Sequence, residues 1–172
     1  MNMTDVIINR KSIRRYTSEH ISDEDLKIIL EAAVSGPTCA NTRDWQFIVV
    51  RDRETLNKMA DANGRPAEPL RGADVGILIL GDLSRAFPPA KDYWIIDGAI
   101  AGQNISLAAE SLGIGCVWLG TYPQMERVEN QRKLFNLPDS VIPHSVMALG
   151  IPDESGREKP LFEEDRFHFE KY

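Results

Sequence analysis

Four basic residues crowd into seven positions at Arg10-Lys11-Ser12-Ile13-Arg14-Arg15-Tyr16. A guanidinium is a planar fork suited to a phosphate or to the carbonyl edge of a ring, and serine adds a hydroxyl. The chemistry on offer is anion or heterocycle binding, and the plainer reading is a solvated basic turn beside a helix end. A second group, Gly36-Pro37-Thr38-Cys39-Ala40-Asn41, sets small hydroxyl and amide residues in a loop. Such residues can hydrogen-bond a heterocycle or satisfy local backbone groups. A third, Gly113-Ile114-Gly115 with Leu119-Gly120, fails as a dinucleotide fingerprint, because its G-x-G does not lie between a strand and a helix start. Gly113 better suits the left-handed cap of a long helix. No P-loop and no G-x-S-x-G elbow is present.

The remaining reactive side chains are sparse. His20 falls in a loop, His144 begins a strand, and His168 sits among tail aromatics. None has a partner at metal-ligand spacing, so the expectation is three structural histidines and no metal. Cys39 and Cys116 form no C-x-x-C pair, and no sequence-local base marks Cys39 as a nucleophile.

The elements that must position these groups can be read from periodicity. Ser22 is a helix N-cap with Asp25 behind it, and Leu26, Ile29, Leu30 and Ala33 repeat at helical spacing until Gly36-Pro37. Trp45 to Arg51 reads as a strand, followed by a polar helix from about Glu54 to Ala62. Val75 to Leu80 is a continuous apolar run, the pattern of a strand buried on both faces. From roughly Trp94 to Leu112 apolar residues occupy nearly every helical face, which predicts burial at the centre or against another subunit. Gly98 and Gly102 would permit a close helix approach there. Ile114 to Leu119 is a further strand, a helix runs from Pro123 to about Leu134, and His144 to Ile151 is a last strand. The tail from Glu158 to Tyr172 carries Phe162, Phe167, Phe169 and Tyr172, an arm expected to pack on something. Helices alternating with four strands make an α+β or α/β sandwich.

Composition narrows the function classes. The 172 residues suit one domain with a real core, and 42% hydrophobic with 27% charged residues is an ordinary globular mixture. A net charge of −6 argues against nucleic acid and against an anionic membrane surface. The apolar stretch Val6-Ile7-Ile8 is too short for a signal peptide or a membrane span, and the expected compartment is a reducing cytoplasm.

Taken in order, these motifs resemble the nitroreductase family. The resemblance rests on Arg10-x-Ser12-x-Arg14-x-Tyr16, then Pro37-Thr38-x-x-Asn41 before Trp45 and a strand. It continues through Asp97, Gln103-Asn104, Leu107-Ala108-Ala109 and Gly113-Ile114-Gly115, and ends with Leu149-Gly150-Ile151-Pro152 and His168-Phe169-Glu170-Lys171-Tyr172. It covers nearly the whole chain collinearly. It implies an α+β fold with a central, mostly antiparallel sheet flanked by helices, and an intertwined homodimer with two FMN sites at the subunit interface.

The same resemblance places Arg10, Lys11 and Ser12 on the ribityl phosphate side and Arg14 at the pyrimidine edge of the flavin. A fixed positive charge there would stabilise the reduced, anionic ring. Pro37, Thr38, Cys39 and Asn41 would come from the other subunit, Leu119 and Gly120 would offer backbone contacts, and Arg65 would face the pyrimidine. Two departures stand out. Arg43-Asp44 precede Trp45 where the family often has Gln-Pro. The C-terminal Lys-Pro-Arg that grips phosphate in many relatives reads Lys159-Pro160-Leu161, leaving Lys159 as the cation or Arg166 as its substitute. The implied activity is oxidoreduction: NADH or NADPH delivers hydride to flavin N5, and an organic acceptor takes its place in ping-pong order. No side chain need act as nucleophile or base. The rivals are an FMN reservoir or redox regulator without turnover, and a thiol-dependent hydrolase or transferase centred on Cys39.

Overall fold

The computed structural model describes residues 2–158 and 162–172. Four strands, β1 (Trp45–Val50), β2 (Val75–Asp82), β3 (Gly115–Gly120) and β4 (Val141–Gly150), form one sheet in the order β1-β2-β4-β3. Every neighbouring pair is antiparallel. Among the described residues the α-helices are α1 (Met3–Asn9), α2 (Asp23–Ser35), α3 (Arg53–Asn63), α4 (Tyr93–Ser111) and α5 (Met125–Phe135). The fold is α+β with an antiparallel sheet between helical layers, as the resemblance implied.

Strand alternation sorts the core into two halves. Val75, Ile77 and Ile79 of β2 join Met147 and Leu149 of β4 against Ile29 and Ala33 of α2 and Ile105 and Ala109 of α4. Leu78 and Leu80 join Val146 and Ala148 on the opposite face, against Leu56 and Met59 of α3, with Leu134 and Phe135 of α5 packed alongside. With both faces covered, every residue of β2 is buried. Local signals set α2 as expected: the Ser22 hydroxyl accepts from the Asp25 N–H, and Gly36 ends the helix.

Helix α4 buries Trp94, Gly98, Ala101, Gly102, Ile105 and Ala109 along one stripe, while Ile96 stays 52% exposed on the other side. The expectation of a close helix approach at Gly98 and Gly102 is corrected. A Cβ on Gly98 would press the His144 ring, and one on Gly102 would overlap the Trp118 ring. The missing side chains admit rings from the sheet. Gly113, at φ 72°, follows the helix end in the left-handed conformation expected.

Two elements depart from the sequence reading. Strand β4 begins at Val141, earlier than His144, and takes in Pro143. Proline cannot donate to a ladder, and the pairing shifts register there: Ile79 faces Ser145 while Leu80 faces Pro143, leaving His144 as the extra residue. The bulge turns His144 toward α4, where its Nε2 lies 3.0 Å from the Ile95 carbonyl. The N-terminal stretch 3–9 forms α1, begun by a capping box between Asn2 and Asp5, with Met3, Ile7 and Ile8 exposed. In the tail, Phe162 stacks on Phe167 at 4.8 Å, yet Phe169 is 88% exposed and Tyr172 fully so. Within one chain the aromatic arm stays uncovered.

Candidate active site

Strand β3 forms one edge of the sheet, so its outer backbone is open to pairing. The basic segment lies along that edge. Ser12 bridges Cys116 in parallel, and the Ile13 N–H donates to the Cys116 carbonyl at 3.0 Å. Ile13 is buried, and the Tyr16 hydroxyl reaches the Ile13 carbonyl at 2.6 Å and the Ala148 carbonyl at 3.0 Å. Burial pushes the Tyr16 phenol well above its ordinary value, so it stays a donor. With Ile13 and Tyr16 turned inward, Arg14 and Arg15 are held at the surface. Glu154 fixes both from the other side. Its carboxylate accepts the Arg14 N–H at 2.6 Å and pairs with Arg15 Nε at 3.2 Å, and these donors hold it below the usual carboxylate range.

Two clefts flank this segment. The larger, about 790 Å³, is lined by Arg14, Arg65, Pro66, Trp118, Leu119 and Gly120 among others, a size that suits a small-molecule site. Arg65 enters from the 3-10 segment Arg65–Arg71 behind α3. The Gly120 carbonyl is held from behind by Asn63 Nδ2 at 3.1 Å and Arg127 Nη1 at 2.8 Å. Thr121 Oγ1 in turn donates to Asn63 Oδ1 at 2.7 Å. That peptide plane is therefore fixed, while space above Gly120 is open. The smaller cleft, about 360 Å³, brings Ser12, Arg14 and Arg15 together with Glu154, Gly156 and Arg157.

Of the residues the sequence singled out, Ser12, Arg14, Arg65, Leu119 and Gly120 thus surround two adjoining clefts. Arg10 is half-buried near Cys116, and Lys11 faces a neighbouring depression with Glu110 and Pro152. Lys159 lies outside the described residues. Arg166 pairs with Glu163 in the tail, whereas Arg157 reaches the smaller cleft. Nothing in the sequence pattern marked Arg157, Glu154 or Asn63; their roles come from long-range placement.

Pro37, Thr38, Cys39 and Asn41 line neither cleft. Their loop packs on α4, where both oxygens of Asp97 accept the Cys39 N–H at 3.0 and 3.1 Å. Burial first, then Asp97 and Asp44, raise the Cys39 thiol, the opposite of what a nucleophile needs. Cys116 is buried, and its thiol is pushed up to about 12. His20 Nδ1 and Arg51 Nη1 both meet Asp74, at 2.6 and 2.8 Å, a tie between the first loop and the sheet.

The fold is an α+β sandwich whose two clefts set arginines beside the edge strand β3. The nitroreductase family model matches residues 7–79 and 63–151. A relative from Methanothermobacter thermautotrophicus, named NADH dehydrogenase/NAD(P)H nitroreductase, is 43% identical over 172 residues, covering all of this chain and 88% of its own. A solved structure of a protein of that name from Bacteroides thetaiotaomicron superposes with a TM-score of 0.92 at 37% identity, covering 99% of this chain and 98% of the other. A Desulfovibrio desulfuricans nitroreductase solved in complex with FMN gives a TM-score of 0.85 at 30% identity, over 100% of this chain and 98% of the other. The chain belongs to the nitroreductase family.

Proposed function

We propose that this protein is an FMN-dependent oxidoreductase that takes electrons from NADH or NADPH and passes them to an organic acceptor. The observation that carries this reading is the cleft along the edge of β3, where Arg14 and Arg65 stand beside Leu119 and the fixed carbonyl of Gly120. The residues fit the group. A flavin ring needs donors for its carbonyl edge, a backbone it can approach closely, and cations for its phosphate. Arg14 and Arg65 would meet the first need, Gly120 the second, and Ser12 and Arg157 in the smaller cleft the third, with Arg10 and Lys11 on the same basic segment beside it.

FMN held there by Arg14, Arg65 and the basic segment would supply the redox chemistry, taking up hydride equivalents from the nicotinamide and passing electrons on. The protein's own part is positional and electrostatic. Arg14 would hold a permanent positive charge beside the ring's pyrimidine edge, while Glu154 keeps Arg14 and Arg15 in place and Asn63 with Arg127 keeps the Gly120 carbonyl fixed. One binding place serving nicotinamide and acceptor in turn is ping-pong order, and the acceptor class is a nitroaromatic, a quinone or a similar conjugated electrophile. The working unit is a homodimer in a reducing cytoplasm, with Pro37, Thr38, Cys39 and Asn41 of the partner subunit completing each site. The uncovered Ile96, Ile7, Ile8 and tail aromatics are the surfaces that such a partner would bury. Among the described residues no helix is long and apolar enough to cross a membrane.

The test is an absorbance spectrum of the purified protein, followed by anaerobic addition of NADH and then NADPH. Flavin bands that bleach with nicotinamide support the reading. A yellow protein that does not bleach favours an FMN reservoir or redox regulator. A colourless protein that cannot be reconstituted with FMN overturns it and returns attention to a Cys39-centred hydrolase or transferase.

A further inference from the structure

The loop at 38–43 is held in a conformation its residues do not favour. Ala40, Asn41 and Arg43 have φ of 49°, 56° and 49°, in the left-handed region that suits glycine. The Arg43 N–H donates to Thr38 Oγ1 at 3.0 Å, and the Arg43 guanidinium lies 5.2 Å from the Trp45 ring. The link from this loop to the body of the protein is Asp97, whose carboxylate accepts the Cys39 N–H through both oxygens. At the end of the same loop, Asp44 is 1% exposed, and neither of its carboxyl oxygens meets a hydrogen-bond donor among the described residues. Asp97 is 2% exposed and lies within hydrogen-bonding reach of Asp44.

The charged groups acting on the pair are acids, and the adjacent Arg43 sets its guanidinium over the Trp45 ring. Asp82, at the end of β2, adds a third acid, with its own oxygens taken by Gln46 Nε2 and Ser84. His144, the ring against Gly98 one residue along α4, is engaged with the Ile95 carbonyl and Ser145 Oγ. Two buried carboxylates in so acidic a setting resist ionising together, and while one proton remains between them it makes one group a donor to the other. The half-protonated pair closes a chain: Asp44 O–H to the Asp97 carboxylate, which accepts the Cys39 N–H as well.

We infer that Asp44 and Asp97 are positioning residues whose single shared proton holds the 38–43 loop in place, and that losing this proton weakens flavin binding. The inference rests on the proposed function, which puts this loop against the partner subunit's flavin. Burial, then the neighbouring Asp97, push Asp44 up to about 6, and burial raises Asp97 too. The pair therefore gives up its proton in the range where many cells operate.

Linkage gives the sign. If the protonated pair binds flavin better, affinity falls as pH rises above about 6, and binding near neutral pH takes up protons from solution. Titration calorimetry with FMN, across pH and in buffers of different ionisation enthalpy, should show roughly tenfold weaker binding at about pH 8 than at about pH 5.5, with proton uptake. Asp44→Asn places a permanent amide donor against Asp97. It should bind FMN equally across this range and take up no proton. Asp97→Asn removes the like charge, and the dependence should vanish there as well, which covers the case of an unstable Asp44 variant. A wild-type profile that is flat, or one that Asp44→Asn and Asp97→Asn both reproduce, overturns the inference. A separate readout needs no flavin: amide exchange at 38–43 should quicken above about pH 6, beyond its intrinsic rise, in the wild type alone. If no variant binds FMN at any pH, the functional reading fails, and the exchange result still decides the role of the pair.

Discussion

Asn63 on α3 donates through Nδ2 to the carbonyl oxygen of Gly120, at the end of β3, 3.1 Å away. The pair joins the helix layer to the open edge of the sheet and fixes the peptide that floors the larger cleft. Asn63→Ala strands Thr121 Oγ1 in a buried place and frees that peptide, at an expected cost of about 1–3 kcal/mol in stability. Arg127→Ala removes only the second donor to the same carbonyl. It should weaken FMN binding severalfold with little change in the denaturation midpoint. Unchanged affinity in both variants would show that the Gly120 peptide carries no part of the site.

The Trp118 ring lies over Gly102 on α4, so any side chain at residue 102 must displace it. Gly102→Ala should destabilise the protein by about 1–3 kcal/mol, against the small gain that alanine normally brings to a helix. Chemical denaturation reads the cost, and a changed near-ultraviolet dichroism signal would report the moved indole.

Arg14 and Arg157 should be separable by ligand. Arg14→Ala removes a donor from the ring side and should weaken FMN and riboflavin alike, by about tenfold or 1.4 kcal/mol. Arg157→Ala should weaken FMN while leaving riboflavin unaffected, because only FMN carries the phosphate. Equal losses for both ligands in Arg157→Ala would remove that residue from the phosphate side.

Stability should carry two opposing pH slopes. Asp44 has a folded pKa of about 6 against an ordinary 3.8, so between these values the folded chain keeps a proton that the unfolded chain has lost. Its contribution falls as pH rises through that window. His144 runs the other way: burial holds its pKa below 6.5, so acidification protonates the unfolded chain first and stability falls as pH drops below that value. Relative to wild type, Asp44→Asn should gain stability as pH rises from about 4 to 6. His144→Gln should gain it as pH falls from about 6.5. Guanidinium midpoints at a series of pH values measure both, and slopes of the same sign would contradict this assignment.

Cys39 supplies its backbone N–H to Asp97, a bond that any residue except proline can make. Cys39→Ala should therefore keep its flavin and most of its nicotinamide oxidation, measured in steady state. Loss of turnover in a folded, yellow variant would revive a chemical role for the thiol.

What the sequence determined by itself was local or collinear. The Ser22 cap and Gly36 stop bound α2, the unbroken apolar run of β2 announced two covered faces, and the order of motifs from Arg10 to Tyr172 carried the family. Such signals need only a few neighbouring residues or a fixed order along the chain. Tertiary structure decided which strand is an edge, and hence that Leu119 and Gly120 have an open side. It also decided that Gly98 and Gly102 receive rings and that Arg157 joins Ser12. The meeting of Asp44 with Asp97 was equally invisible, because two acids far apart along a chain read as two solvated charges. Only the packing of the loop on α4 removes their water, and with it the freedom of both to be charged.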